Sequence, residues 1–208
     1  MKITWIGHSC FKIEKDGFSI IIDPYADGSV PGYLPVRETV DMVLCTHEHS
    51  DHNFREGVTL TGRTKLPFKV ETIDTYHDDE GGTKRGTNKI FMIDDGETQV
   101  AHFGDLGCVL TPEQLLRLRY MDAVFIPVGG FFTINARQAA DLVHFIKPRI
   151  VIPMHYHSTS KGFGYDVLGT VAEFTNIMDS VKTVDGSELE TVSDPGAQVV
   201  VLRPRNVG

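Results

Sequence analysis

With 208 residues, 41% of them hydrophobic and 23% charged, the chain has the make-up of a soluble globular protein and the length for one large core. No apolar run approaches the roughly 20 residues of a membrane-spanning helix. A net charge of −8 without any Lys/Arg block disfavours a sequence-independent grip on nucleic acid, which needs a basic footprint.

The opening run Met1-Lys2-Ile3-Thr4-Trp5-Ile6 has neither a basic region nor a long apolar segment, so no secretory leader is expected. Short β-rich runs follow: Lys2–Ile6, Cys10–Lys15 and Phe18–Asp23, with Asp16-Gly17 as the hairpin turn between the last two. Pro24 ends the third run because it cannot donate to a continuing ladder. Residues 25–39, carrying Gly28, Pro31, Gly32 and Pro35, read as a loop over one end of the sheet. Val40–Thr46 reads as a buried strand. Further strands are expected around Lys69–Tyr76, Lys89–Asp94 and Glu97–Phe103, with Asp95-Gly96 the tightest hairpin signal.

Helices enter in the second half. Thr111-Pro112-Glu113 is an N-cap with proline at the first helical position, opening a helix to about Tyr120. Asn135 caps a second, with Ala139, Leu142, Val143 and Ile146 along one stripe and Pro148 beyond its end; His144 in that stripe reads as a packed core histidine. A third is expected from about Asp166 to Asp179. Ala123–Pro127 and Arg149–Met154 are continuous apolar runs, the pattern of strands buried on both faces. Strands followed by alternating strand and helix predict an α/β layered architecture, and without a repeat or low-complexity linker residues 1–208 are expected to form one domain. Cys10, Cys45 and Cys108 lie far apart and outside any CxxC pattern, which suits free thiols in a reducing cytoplasm.

Directly behind the Val40–Thr46 run stands His47-Glu48-His49-Ser50-Asp51-His52, three imidazoles and two carboxylates in six residues. Neutral imidazole and carboxylate oxygen are ligands that zinc, iron and manganese accept. The string therefore reads as a metal site at a strand's C-terminal end, and as half of a two-metal site. A second ligand set should come from other strand ends, where sites gather in α/β folds. His77 closes the Lys69–Tyr76 strand, Asp105 follows the strand ending at Phe103 and Gly104, and His155 follows Ile150-Val151-Ile152-Pro153-Met154.

The HxHxDH string resembles that of the metallo-β-lactamase superfamily, and later segments fall in matching order: Thr75-Tyr76-His77, His102-Phe103-Gly104-Asp105 and Ile152-Pro153-Met154-His155. Ile6-Gly7-His8-Ser9-Cys10-Phe11 with Ile21-Ile22-Asp23-Pro24 is similar to the opening of its L-ascorbate-6-phosphate lactonase-like branch, and N-acyl-phosphatidylethanolamine phospholipase D shares similar signatures. The resemblance spans Met1 to about Ser160. It implies a four-layer αββα sandwich with the metals at one edge between the sheets. It also implies a first metal on His47, His49 and His77, a second on Asp51, His52 and His155, and Asp105 bridging them. The ions would be divalent, zinc first, with manganese or iron accepted by the same ligands.

Two such cations, two carboxylates and a bridging hydroxide leave about +1 in the site. That favours a small substrate bearing carboxylate or phosphate, and hydrolysis of an ester, lactone or phosphodiester is the expected reaction. Asp51, Asp105 and His8 form the expected catalytic set. For His8, in a loop between two strands, substrate contact, support of the ligands, direct ligation and a structural role stay open. Asp23 either orients a histidine ligand or caps a turn. His157 competes with His155 for the last ligand position, while His102 is expected to be structural. Val128-Gly129-Gly130-Phe131-Phe132-Thr133 is either pocket wall or a glycine turn over core aromatics. Arg37, Arg137 and Lys161 sit in or beside loops that could supply an anion contact. Two other readings remain: an iron-dependent redox enzyme on the same ligands, and a non-catalytic metal-binding module. A homo-oligomer is compatible with the sequence.

Overall fold

The computed structural model describes residues 1–157, 162–164, 166–191 and 195–207. Strands β1 (Lys2–Gly7), β2 (Cys10–Lys15) and β3 (Phe18–Ile22) form an antiparallel meander. The β2–β3 turn is made by Asp16 and Gly17, both at positive φ, as the Asp-Gly pair predicts. β4 (Glu38–Val40) leaves this sheet, and β5 (Met42–Leu44) re-enters it parallel to β3. The expected Val40–Thr46 strand is thus broken at Asp41, whose carboxylate accepts the Ser19 backbone N–H at 2.7 Å. β6 (Val58–Leu60) pairs with β4 as a separate parallel ribbon.

β7 (Lys69–Tyr76), β8 (Thr87–Asp94) and β9 (Gln99–His102) make a second antiparallel meander. Then come α1 (Pro112–Arg117), β10 (Ala123–Pro127), α2 (Ala136–Ile146), β11 (Ile150–Met154) and α3 (Val171–Thr175). β10 lies parallel to both β9 and β11, so strands and crossover helices alternate as read from the sequence. β12 (Val181–Thr183), β13 (Glu188–Glu190) and β14 (Val199–Val201) are short and were not anticipated. β13 closes a five-stranded sheet, β13-β1-β2-β3-β5, and β14 and β12 extend a seven-stranded one, β12-β14-β11-β10-β9-β8-β7.

The two sheets face each other across one core. Period-2 alternation puts Trp5, Phe11, Ile13, Ile20 and Ile22 on its inner side with Phe91, Phe103 and Phe125 from the larger sheet. Phe11 stacks on Phe125 at 4.5 Å between centroids. Each such fully buried side chain contributes about 1.5–3 kcal/mol of transfer free energy. The alternate residues Ile6, Cys10 and Ile21 face outward, under Tyr25, Val30 and Val36 from the loop that follows β3. On the other flank, Ala139, Ala140, Val143 and Ile146 of α2 join the main core. The layers are those of an α/β sandwich, with irregular chain covering the smaller sheet.

Two further expectations need correction. The third helix spans only Val171–Thr175: residues 166–169 are turn and irregular chain ending at Gly169, and the helix closes at Asn176. His144 is exposed rather than packed: the buried stripe of α2 runs through Ala139, Ala140, Val143 and Ile146, and His144 is one residue, about 100°, past Val143. No helix among the described residues is long and apolar enough to cross a membrane.

Candidate metal centre

β7, β9, β10 and β11 run in one direction, so their C-terminal ends share an edge of the larger sheet. His77, Asp105 and His155 follow three of those ends. The loop after β5 brings His47 to His52 from the smaller sheet to the same edge. Asp105 Oδ2 is the focus: it lies 3.1 Å from His77 Nε2, 3.1 Å from His155 Nε2, 3.2 Å from His52 Nε2 and 3.9 Å from His47 Nε2. The donor atoms of His47, His49 and His77 lie within 4.8 Å of one another, as do those of His8, Asp51, His52 and His155, and those of His47, His52 and Asp105. All seven expected ligands and His8 are therefore brought together.

The outer nitrogens of three rings are tied, whereas His155 Nδ1 is buried without a partner among the described residues. His52 Nδ1 donates to Asp23 Oδ2 at 2.8 Å, and His77 Nδ1 donates to the Phe132 carbonyl at 3.1 Å. Thr46 Oγ1 donates to Asp23 Oδ2 at 2.7 Å and accepts from His47 Nδ1 at 3.0 Å. These bonds assign the Nδ1–H tautomer to all three histidines and turn the Nε2 lone pairs inward. Asp23 also accepts the Thr46 backbone N–H at 2.7 Å, so it orients His52 and the start of the His-rich loop together. Asp105 is set by Asn88, which accepts the Asp105 N–H at 3.0 Å and donates to the Phe103 carbonyl at 3.0 Å. Gly104 allows this: it stands at φ +53°, and a Cβ there would collide with Asn88 and lie 2.7 Å from Thr46 Cβ. His8, Asp23 and His155 are non-glycine residues in the left-handed region, at φ +53°, +51° and +50°. Such strain persists where surrounding structure over-determines it, often at functional sites.

Electrostatics give the same picture. Burial, with repulsion from His52, lowers His47 to about 3, and burial, with His155, lowers His8 to about 4; both rings are neutral. Burial opposes ionisation of Asp51 and Asp105, yet His52 in the first case and His155 and His52 in the second outweigh it and hold both carboxyls below the usual range. His52 is the exception: burial opposes its charge, but Asp105, Asp51 and Asp23 push its pKa well above that of an ordinary histidine. The cluster calls for positive charge at that nitrogen, as proton or metal. His47 Nε2, His52 Nε2 and Asp105 Oδ1 are buried without a hydrogen-bond partner among the described residues. Four imidazole nitrogens around one carboxylate oxygen, which has two lone pairs, cannot all be satisfied by hydrogen bonding. Divalent cations between them would satisfy the inward-facing nitrogens and carboxylate oxygens, so the residues fit a metal centre.

Other candidates fall outside this cluster. His102 clamps the fold, donating to the Ser9 carbonyl at 2.8 Å and accepting from the Gly104 N–H at 3.1 Å. His157 lies outside the ligand groups. Arg37 pairs with Asp27 at 2.5 Å, Arg137 is exposed on α2, and Lys161 lies outside the described residues. The Val128–Thr133 segment does two things: Gly129 lets the backbone press against the His155 carbonyl, and Phe132 lines the cavity at the centre. Asn88, Thr46 and Arg85, another cavity-lining residue, were missed. Nothing in local sequence distinguishes them, because their roles arise from contacts between elements.

The model of the beta-lactamase superfamily domain matches residues 2–155. The chain belongs to the metallo-β-lactamase superfamily. A structure of a metallo-β-lactamase superfamily protein from Thermotoga maritima is similar at TM-score 0.77 and 30% identity, covering 97% of each chain. A UPF0173 metal-dependent hydrolase of Caldivirga maquilingensis is 29% identical over 99% of this chain and 96% of its own length. A UPF0173 protein of Pyrococcus furiosus is 32% identical over 77% of this chain and 86% of its own. Within this metallo-β-lactamase fold the centre occupies the edge between the two sheets.

Proposed function

We propose that this metallo-β-lactamase superfamily member is a metal-dependent hydrolase that holds two divalent ions, zinc first, and cleaves a small anionic ester, lactone or phosphodiester. One ion would be held by His47, His49 and His77, the other by Asp51, His52 and His155, with Asp105 shared. The observation that carries this reading is Asp105 Oδ2, 3.1 Å from Nε2 of His77 in one ligand group and of His155 in the other. When bound, the metals supply an activated water nucleophile and positive charge for the developing oxyanion. The chain's own residues do the rest. Thr46, Asp23 and the Phe132 carbonyl fix three imidazoles in the tautomer that presents Nε2. His8 donates from Nε2 to Asp51 Oδ2 at 3.3 Å and keeps that carboxylate aimed inward; it acts as a positioning residue. Phe132 and Phe163 wall the cavity and limit water around the reacting bond. The lactonase-like opening motifs, Ile6–Phe11 and Ile21–Pro24, guide the choice of substrate class.

The test is elemental analysis of protein purified without chelator or histidine tag, followed by an ester, lactone and phosphodiester panel in the metal found. Two metals per chain and turnover of an anionic member support the reading. One metal per chain removes the dinuclear part, and two metals without turnover of any member removes the hydrolase.

A further inference from the structure

Arg85 lines the cavity over the centre, about 380 Å³ in volume, and is the one permanent cation among its described lining residues. Its guanidinium carbon lies 5.5 Å from the centroid of the Phe132 ring, and among the described residues no carboxylate pairs with it. The backbone beneath it is fixed. Asp78, next to His77, accepts N–H bonds from Glu80 at 2.9 Å, Gly82 at 2.8 Å, Lys84 at 3.0 Å and Arg85 itself at 2.7 Å. The His77 N–H donates to the Gly86 carbonyl at 3.0 Å. This 78–86 loop is therefore wound on one carboxylate and tied to a proposed metal ligand, so the Arg85 backbone is fixed close to His77 and its side chain lines the same cavity. Two other cations nearby are engaged: Lys84 pairs with Glu80 at 2.6 Å and Arg55 approaches Glu48 at 3.8 Å. A second cavity, about 440 Å³, shares Arg85 and His49 with the first and continues to Lys89, so positive charge extends outward along one side of the site.

We propose that Arg85 is the specificity-determining residue for the substrate's own oxyanion, a carboxylate or phosphate group separate from the scissile bond and lodged on the His49–His77 side of the cavity. The inference rests on the hydrolase reading for its setting. A planar guanidinium matches either oxyanion with paired N–H bonds, and the Phe132 face restricts its rotation, so little ordering is needed at binding.

The test titrates the protein, in its as-purified metal-loaded form, with inorganic phosphate and, separately, with acetate, comparing wild type with Arg85→Met, Arg85→Gln and Arg85→Lys. Metal content is measured on each. The substitutions leave the Arg85 backbone bond to Asp78 in place, so metal content is expected to be unchanged. Arg85→Met and Arg85→Gln should weaken oxyanion binding by about tenfold or more, with Arg85→Lys recovering part of the loss. Loss for phosphate alone assigns a phosphate-bearing substrate, and equal loss for both assigns the shared oxyanion chemistry. Binding within about twofold of wild type in both neutral variants, metals retained, overturns the inference. Because the readout is binding, failure to find turnover in the ester and phosphodiester panel would remove the hydrolase reading without touching this result.

Discussion

Exchanging Asp23 for Asn replaces one carboxylate oxygen with an amide NH2 and leaves shape almost unchanged. Asp23 is fully buried and accepts three hydrogen bonds, from the Thr46 N–H, the Thr46 hydroxyl and His52 Nδ1. Asn can keep its oxygen toward the Thr46 N–H. Its NH2 then meets the hydroxyl, which can rotate, and His52 Nδ1–H, which cannot. The ring is relieved only by moving its proton to Nε2, the nitrogen that faces Asp105 at 3.2 Å. The second ion would lose a ligand while the shape of the surrounding site stayed almost unchanged. Loss of an outer partner of this kind weakens metal affinity about 10–100-fold, or about 1.4–2.7 kcal/mol. Loss of the charged acceptor reduces fold stability by about 1.5–3 kcal/mol, a drop of roughly 3–12 °C in Tm for a chain of this size. Chelator competition with elemental analysis reads the first effect and thermal unfolding the second. The expected result is a folded protein that releases one ion much more readily than the other. Both ions held at wild-type affinity in Asp23→Asn would refute the tautomer assignment.

Asp105→Asn should abolish turnover and weaken both ions, since Asp105 Oδ2 faces histidines of both groups; steady-state kinetics and metal content check it, and unchanged activity sinks the shared-ligand assignment. The metal-free protein should take up its second ion more tightly as pH rises. His52, raised well above the ordinary range by three carboxylates, holds a proton through neutral pH that the ion must displace, so apparent affinity climbs by up to about tenfold per pH unit. His47, lowered to about 3, is already neutral there and adds nothing. Competition titrations showing an affinity independent of pH through the neutral range would contradict the sign.

How far the sequence alone reached follows from the range of its signals. The HxHxDH string and the three strand-end residues, which the structure brings together, stand out as candidate ligands because ligand type and position after a strand are local properties. The hairpin turns and the Thr111 and Asn135 caps were legible for the same reason. β12, β13 and β14 were not, because three-residue strands are too short to show a period and are held by neighbours distant in sequence, as β13 is by β1. His144 failed because its neighbours are apolar while its own direction on α2 points to solvent. Arg85 was indistinguishable from other loop arginines until the Asp78 bonds placed it over the cavity, whereas Arg37, an equal candidate in sequence, is spent on Asp27.

The candidate centre draws each proposed ligand and its support from different parts of the fold. Asp23 at the end of β3 holds His52, the Phe132 carbonyl after β10 holds His77, and Asn88 on β8 holds Asp105. Without cations this seam is unfavourable: three non-glycine residues in the left-handed region add about 1–2 kcal/mol each, and buried nitrogens face carboxylate oxygens. The total is comparable to the whole net stability of many domains, about 5–15 kcal/mol, so the apolar interior around Phe11 and Phe125 must offset it. A cation that binds only the folded chain stabilises it by mass action, and here it would bind the atoms whose repulsion weakens the apo seam. Rigid support is what allows both: if the rings could turn away, the repulsion would relax and the preformed grip on metal would go with it. Loosening the Asp23 bonds should therefore lower metal affinity and the stability of the metal-free fold together, each by a comparable amount.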